Sequence, residues 1–233
     1  MQVLITEVTR MERGYICVAG INRGTGSRVR PVLSGGARIP LTWVSSLGGL
    51  IDNKRVLEIG DGPRVGKSPE VEDVLTSSTQ LRLVTRLSDE EFLTALRGTS
   101  HLDARSAFGP ELKQHVNGHN YVSAEGTGTL SLAIQANPRD TVEVFLTNFG
   151  RIRARWRDGM ELSVTDLRLY QPDGSTPNEE RVATLSKALK DGPGFVAFGL
   201  TRAMSLPRSG DPSTYHWLQV NAIHVPVSLQ WSL

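Results

Sequence analysis

From Arg151 to Arg157 the chain reads Arg-Ile-Arg-Ala-Arg-Trp-Arg, with a cation at every second position and an apolar side chain between each pair. In an extended strand successive side chains point to opposite faces. Arg151, Arg153, Arg155 and Arg157 would then share one surface while Ile152, Ala154 and Trp156 share the other. Such a strand needs a sheet that is dry on one side and wet on the other. Alternate residues lie roughly 6.6 to 6.8 Å apart, about the stride of a stretched single-stranded phosphate chain, and guanidinium forks suit phosphate oxygens. A single-stranded nucleic acid is the partner this pattern predicts. The competing expectation is cross-strand pairing with carboxylates. If Val142, Val144 and Leu146 point inward, Glu143 joins the arginine face together with Phe145, whose ring offers a base something to stack on. Glu161 reaches the same face from the other neighbour, but two acids cannot neutralise four arginines.

The rest of the chain sets the class. Its 233 residues are 39% hydrophobic with 23 glycines and only 6% aromatics, and β-branched residues dominate the apolar runs, which predicts a mainly β protein with many turns. A net charge of +2 is too small for a general attraction to polyanions, so nucleic-acid affinity has to come from a local patch. Cys17 is the only cysteine. It excludes an intrachain disulfide and a multi-cysteine zinc site, fits a reducing compartment, and in Tyr15–Ala19 reads as a small core hydrophobe. There is no basic segment followed by a long apolar run at the N-terminus, and no run of 18 apolar residues. The expectation is a cytoplasmic protein that does not enter membranes.

Strands are predicted at Val3–Val8, Tyr15–Ile21, Arg28–Leu33, Arg55–Ile59 and Leu81–Thr85, with a short helix around Pro40–Leu47. The second half repeats the order of three strands, a helix and two strands: Leu130–Ala136, Val142–Thr147, Arg151–Arg157 turning through Asp158-Gly159 into Met160–Val164, then Phe195–Thr201 and His216–Val225. Its helix, at about 177–190, is predicted to start from an N-cap at Thr176 with Pro177 and Glu179, and to stop at Gly192-Pro193. Between the halves, the capping box Ser88-Asp-Glu-Glu91 starts a helix whose apolar face is Phe92, Leu93 and Leu96. The predicted fold is therefore two OB-like five-stranded barrels, at 1–85 and 129–233, joined by a helical and loop connection at 86–128.

The strings Ile5-Thr-Glu-Val-Thr-Arg10, Ile16-Cys-Val-Ala-Gly20, Val29-Arg-Pro-Val32, Glu72-Asp73 and His216-Trp-Leu-Gln-Val-Asn-Ala-Ile-His224 together resemble the bacterial dual OB-containing domain family. The resemblance implies two fused OB folds in a prokaryotic defence system, binding nucleic acid without being the effector enzyme. The arginine strand is no part of that resemblance.

Other candidates are weaker. Arg10, Arg30 and Arg202 sit at or near predicted strand ends, where a barrel rim could gather them around a ligand; pairing with Glu72, Asp73 or Asp166 is the structural alternative. Trp217, Gln219 and Asn221 share one side of the last strand and form either a stacking platform with amides that read base edges or a buried tryptophan with hydrogen-bonded amides. His115 and His119 have metal spacing for a helix, but Asn117-Gly118 predicts a loop and no third ligand is evident. The glycine pairs at Gly24/Gly26 and Gly126/Gly128 lack the lysine and helix of a phosphate-binding loop. The expected function is thus non-enzymatic binding of single-stranded DNA, RNA or a hybrid strand, without cofactor or metal. The alternatives are a protein-binding adaptor of a defence complex and a small-nucleotide sensor with Arg10, Arg30 and Arg202 at its rim.

Overall fold

The computed structural model describes residues 1–116, 118, 120–205 and 213–233. The protein is mainly β, as its composition predicts, and its sheets are curled. The first half contains β1 (Gln2–Arg10), β2 (Tyr15–Asn22), β3 (Arg28–Leu33), the two-residue β4 (Ile39–Pro40), β5 (Arg55–Glu58), β6 (Asp73–Thr76) and β7 (Arg82–Arg86). They form one sheet in the order β6-β3-β2-β1-β5-β7, with β4 on β2. The pairs are antiparallel except β3 with β6, which runs parallel from Arg30 opposite Asp73 to Leu33 opposite Thr76. After β5 the chain comes back to β6 on its other side. Arg64 bridges Val74 antiparallel, and Leu75 N donates to Pro63 O at 3.0 Å. β1 bulges between Ile5 and Glu7, opposite Gly20, where a Cβ would run into the Leu4 carbonyl.

The sequence pattern misses β6, because Glu72-Asp73 masks a run of only four strand residues, and it also misses the short strands β4, β8, β9 and β10, the last three in a segment read as a helical and loop connection. The predicted helix around Pro40–Leu47 is instead two short 3-10 turns, Leu41–Trp43 and Ser45–Leu47, each too short to amount to an α-helix.

The chain continues through α1 (Asp89–Gly98), β8 (Ser100–His101), α2 (Ala104–Phe108), β9 (Lys113–Gln114), β10 (Tyr121–Ala124), β11 (Leu132–Asn137), β12 (Val142–Leu146), β13 (Ile152–Trp156), β14 (Glu161–Ser163), α3 (Glu179–Asp191), β15 (Gly194–Leu200) and β16 (Tyr215–His224). One sheet has the order β8-β11-β15-β16-β10-β9 and a second is β12-β13-β14. They meet where Val164, just after β14, bridges Val220 of β16 in parallel. Segment 100–124 thus supplies β8, β9 and β10 to the second-half sheet.

The capping box at Ser88 forms as predicted, with Ser88 N donating to Glu91 Oε2 at 2.8 Å. The N-cap of α3 is Asn178 rather than Thr176. Asp173 captures the Thr176 amide at 2.9 Å and its hydroxyl at 2.5 Å, which ties Thr176 into the preceding turn, so Asn178 Oδ1 accepts from Arg181 N instead.

Among the described residues, three apolar clusters hold the molecule. One fills the first half around Val3, Ile5, Val18, Val29 and Leu57. Another packs α3, through Val182, Leu185 and Leu189, onto the inner faces of the second-half sheets. In the third, Phe92 and Leu96 of α1 are wedged among Leu4, Ile21 and Val56 of the first half and Ile134, Ala197 and Ala222 of the second. Burying side chains of this size is worth about 1.5–3 kcal/mol each. Polar contacts cross the same junction. Glu72 accepts from Ser131 N and Oγ, both at 2.8 Å, and His224 Nε2 donates to Thr6 O at 2.9 Å. Among the described residues, no helix is long and apolar enough to cross a membrane.

Candidate nucleic-acid interface

The period-two pattern of the arginine strand is realised in β13. Ile152, Ala154 and Trp156 are buried, while Arg153 and Arg155 face outward between β12 and β14. The register sets Arg155 opposite Glu143 on one side and Glu161 on the other, and Arg153 opposite Phe145 and Ser163. Arg151 and Arg157 flank the strand and are exposed.

The four guanidiniums are not equivalent. Arg153 donates to Glu161 Oε1 at 3.1 Å, Glu161 O at 3.2 Å and Ser163 Oγ at 2.7 Å, and its side chain is only 17% exposed. It is committed to the sheet. Arg155 is 51% exposed, pairs with Glu161 Oε2 at 2.7 Å and covers the Phe145 ring, with Cζ 4.6 Å from the centroid. Arg157 is 70% exposed and pairs with Asp140, an acid of the β11–β12 turn. Glu143 turns instead toward Lys190 of α3, at 4.0 Å. Burial pushes the Glu161 carboxyl up, but the hydrogen bonds from Arg155 and Arg153 outweigh it and hold the group below the usual carboxylate range.

At the end of the β12–β13 hairpin the chain reads Thr147-Asn-Phe-Gly-Arg151, and Phe149 is 89% exposed. This ring has no counterpart in the alternation of the strands. Its signal was a large aromatic residue inside a polar turn, next to a glycine at positive φ. Asp140 is the other relevant residue that the strand pattern does not disclose.

The remaining predicted residues lie elsewhere. Arg30 is buried, with Nε 2.5 Å from Asp73 Oδ1, and Arg202 meets the same carboxylate, with Nη2 2.5 Å from Oδ2. Arg202 also lies 3.3 Å from Glu70. These two arginines do come together, but around an internal acid rather than a rim. Arg10 lies over the Tyr170 ring, 4.8 Å from its centroid. Trp217 and Asn221 are enclosed, because β16 sits between β15 and β10 and both of its faces are covered. Trp217 Nε1 donates to Met204 O at 3.1 Å and its ring packs 4.8 Å from that of His115. Gln219 donates to Asn221 Oδ1 at 3.0 Å, and Asn221 donates to Glu7 Oε2 at 2.9 Å. The amides are thus used inside the protein, the bland alternative of the two. His119 lies outside the described residues. Among the described residues, no group of His, Cys, Asp or Glu could hold a metal ion.

The outer face of β12-β13-β14 therefore combines three exposed arginines with the half-buried Phe145 and three acids that moderate the charge, Asp140, Glu143 and Glu161, and the exposed Phe149 lies in the hairpin turn beside Arg151. Comparison with family models, with curated proteins and with solved structures returned no match.

Proposed function

We propose that this protein binds single-stranded nucleic acid on the outer face of β12-β13-β14, with Arg151, Arg155 and Arg157 on phosphates and Phe149 stacking on a base. The observation that carries the reading is the co-location of three exposed guanidiniums with an aromatic ring that is 89% exposed at the hairpin end. The pairs to Glu161 and Asp140 are exposed enough to be exchanged for phosphate, since surface ion pairs are worth about 0–1 kcal/mol. Arg153 is left out because its donors are taken up by the sheet.

The same reading takes each half as an OB-like unit, in keeping with the resemblance to the dual OB-containing domain family. Five strands that alternate in direction cannot close without one parallel seam, because five is odd. The parallel pairing of β3 with β6, and the parallel bridge from Val164 to Val220, supports one such seam in each half.

Three phosphate contacts at roughly −0.7 each give a slope of about −2.1 in log affinity against log salt, or about a 20-fold loss between 50 and 200 mM. The test is fluorescence anisotropy of a labelled 12-nucleotide strand at those two salt concentrations. The triple variant R151Q/R155Q/R157Q should flatten the slope toward zero at unchanged Tm. An unchanged slope, or no binding by the unaltered protein, refutes the proposal.

A further inference from the structure

Beside the first turn of α3 the two halves of the chain leave a cavity of about 250 Å³. Its apolar wall includes Leu41 and Val44 from the first half and Leu167 and Leu233 from the second, and its polar groups include Ser46, Asn178 and Arg181. Among the described residues no Asp or Glu side chain lines it. At roughly 30 Å³ per water it has room for about eight waters, less than a drug-sized pocket offers but enough for a small organic molecule. The Leu233 carbonyl oxygen accepts from Ser46 N and Ser45 Oγ, both at 2.5 Å, which fixes that residue in the wall.

Arg181 decides what the cavity suits. It donates through Nη1 to Arg168 O at 2.9 Å and lies over the Trp231 ring, with Cζ 5.4 Å from the centroid. Among the described residues it has no ion-pair partner, and its Nε and Nη2 have no acceptor. These two nitrogens form one edge of the guanidinium, a pair of parallel donors that a carboxylate meets with both oxygens. Burial and the charge of Arg168 lower the Arg181 pKa, against the pull of Asp166 and Glu180. Arg168 is itself matched by Asp166 at 2.7 Å, so Arg181 is the half-buried cation that lacks a counter-charge. Asn178 Oδ1 is taken by Arg181 N, which leaves its Nδ2 as a neutral donor beside the guanidinium. We infer that this cavity binds a small organic monocarboxylate, its head on the Nε–Nη2 edge of Arg181 and its hydrocarbon part against Leu41, Val44, Leu167 and Leu233. A phosphate would bring about two negative charges to one free cation, and an uncharged ligand would leave that cation unmatched. The inference does not rest on the nucleic-acid reading of β13.

The test titrates the full chain with 4-methylpentanoate, with its amide and with inorganic phosphate. Affinity is measured by calorimetry, and the Arg181 Nε–H signal is followed by NMR. The acid should move that signal saturably, and the amide and phosphate should bind at least tenfold more weakly. R181Q should weaken the acid at least tenfold, while R181K, which keeps the charge but loses the fork, should fall between R181Q and the unaltered protein. S46W, which places a bulky ring at an exposed position of the wall, should block the acid at unchanged Tm; if R181Q fails to fold, R181K and S46W carry the test. Equal affinity for acid and amide, phosphate bound as tightly as the acid, unchanged affinity in R181K or S46W, or no saturable shift in the unaltered protein would each overturn the inference. The triple variant R151Q/R155Q/R157Q should bind the acid as the unaltered protein does; weaker binding there would place the acid on β13 and overturn the assignment to this cavity.

Discussion

Replacing Arg168 with methionine should destabilise the protein by about 3–5 kcal/mol, the usual cost of removing one partner from a buried ion pair. Arg168 is 1% exposed, and its Nε and Nη2 grip the two oxygens of Asp166 at 3.0 and 2.7 Å. It also donates to Ser228 O at 3.0 Å and Ile223 O at 2.8 Å, which pins the end of β16 and the turn that follows. Methionine keeps much of the volume but leaves Asp166 as a charge with only the amides of Arg168 and Ile223 to stabilise it. For a chain of this size each kcal/mol shifts Tm by roughly 2–4 °C, so the expected drop is about 6–20 °C by thermal scan. The double variant D166N/R168M removes the stranded charge and should be more stable than R168M by about 1.5 kcal/mol or more, and adding the single variant D166N completes a double-mutant cycle that gives the coupling between the two groups. A coupling below about 0.5 kcal/mol would show that the pair is not the tie between these elements.

Burial, reinforced by the charge of Arg168, lowers the pKa of His224 well below its ordinary 6.5, against the opposing hydrogen bond to Thr6. The unfolded chain takes up a proton below about pH 6.5 that the folded chain refuses. Stability is therefore intact above that pH and falls below it by up to about 1.4 kcal/mol per unit, until the folded-state pKa is reached. Urea titrations at pH 7.5, 6.5 and 5.5 should show this slope, and H224Q should reduce it; a slope unchanged by the variant would exclude His224 as its source. F149A should weaken binding of the labelled single strand by roughly 5- to 150-fold, the range for loss of one stacked base, with Tm unchanged; equal affinity would remove Phe149 from the interface. G20A should cost about 1–3 kcal/mol, as overpacking does, because its Cβ runs into the backbone of β1; a neutral result in chemical denaturation would mean that the bulge relaxes freely.

What could be read from the sequence was what is local. The alternation in β13 fixed its buried and exposed faces, Asp158-Gly159 marked the turn into β14, and the Ser88 box marked the start of α1. What could not be read depended on partners far along the chain. Asp140 reaches Arg157 only because β12 and β13 pair in one register, and nothing between residues 140 and 157 announces that contact. The mixed pattern of β16 has the same cause. A strand covered on both faces does not need to alternate, and Asn221 is satisfied by Glu7, 214 residues away. Arg202 stands near a strand end, as expected, whereas Arg30 lies inside β3, and only the tertiary fold shows that Asp73 lies between them.

The wedge of Phe92 and Leu96 has a consequence for how the molecule comes apart. Since α1 owes its burial to both halves at once, neither half keeps a dry surface when the other melts, and the oily seam exposed by separation would be sticky. Cutting the chain after residue 85 or before residue 129 should yield fragments that precipitate alone and recover when mixed, and intact protein should lose its structure in a single step.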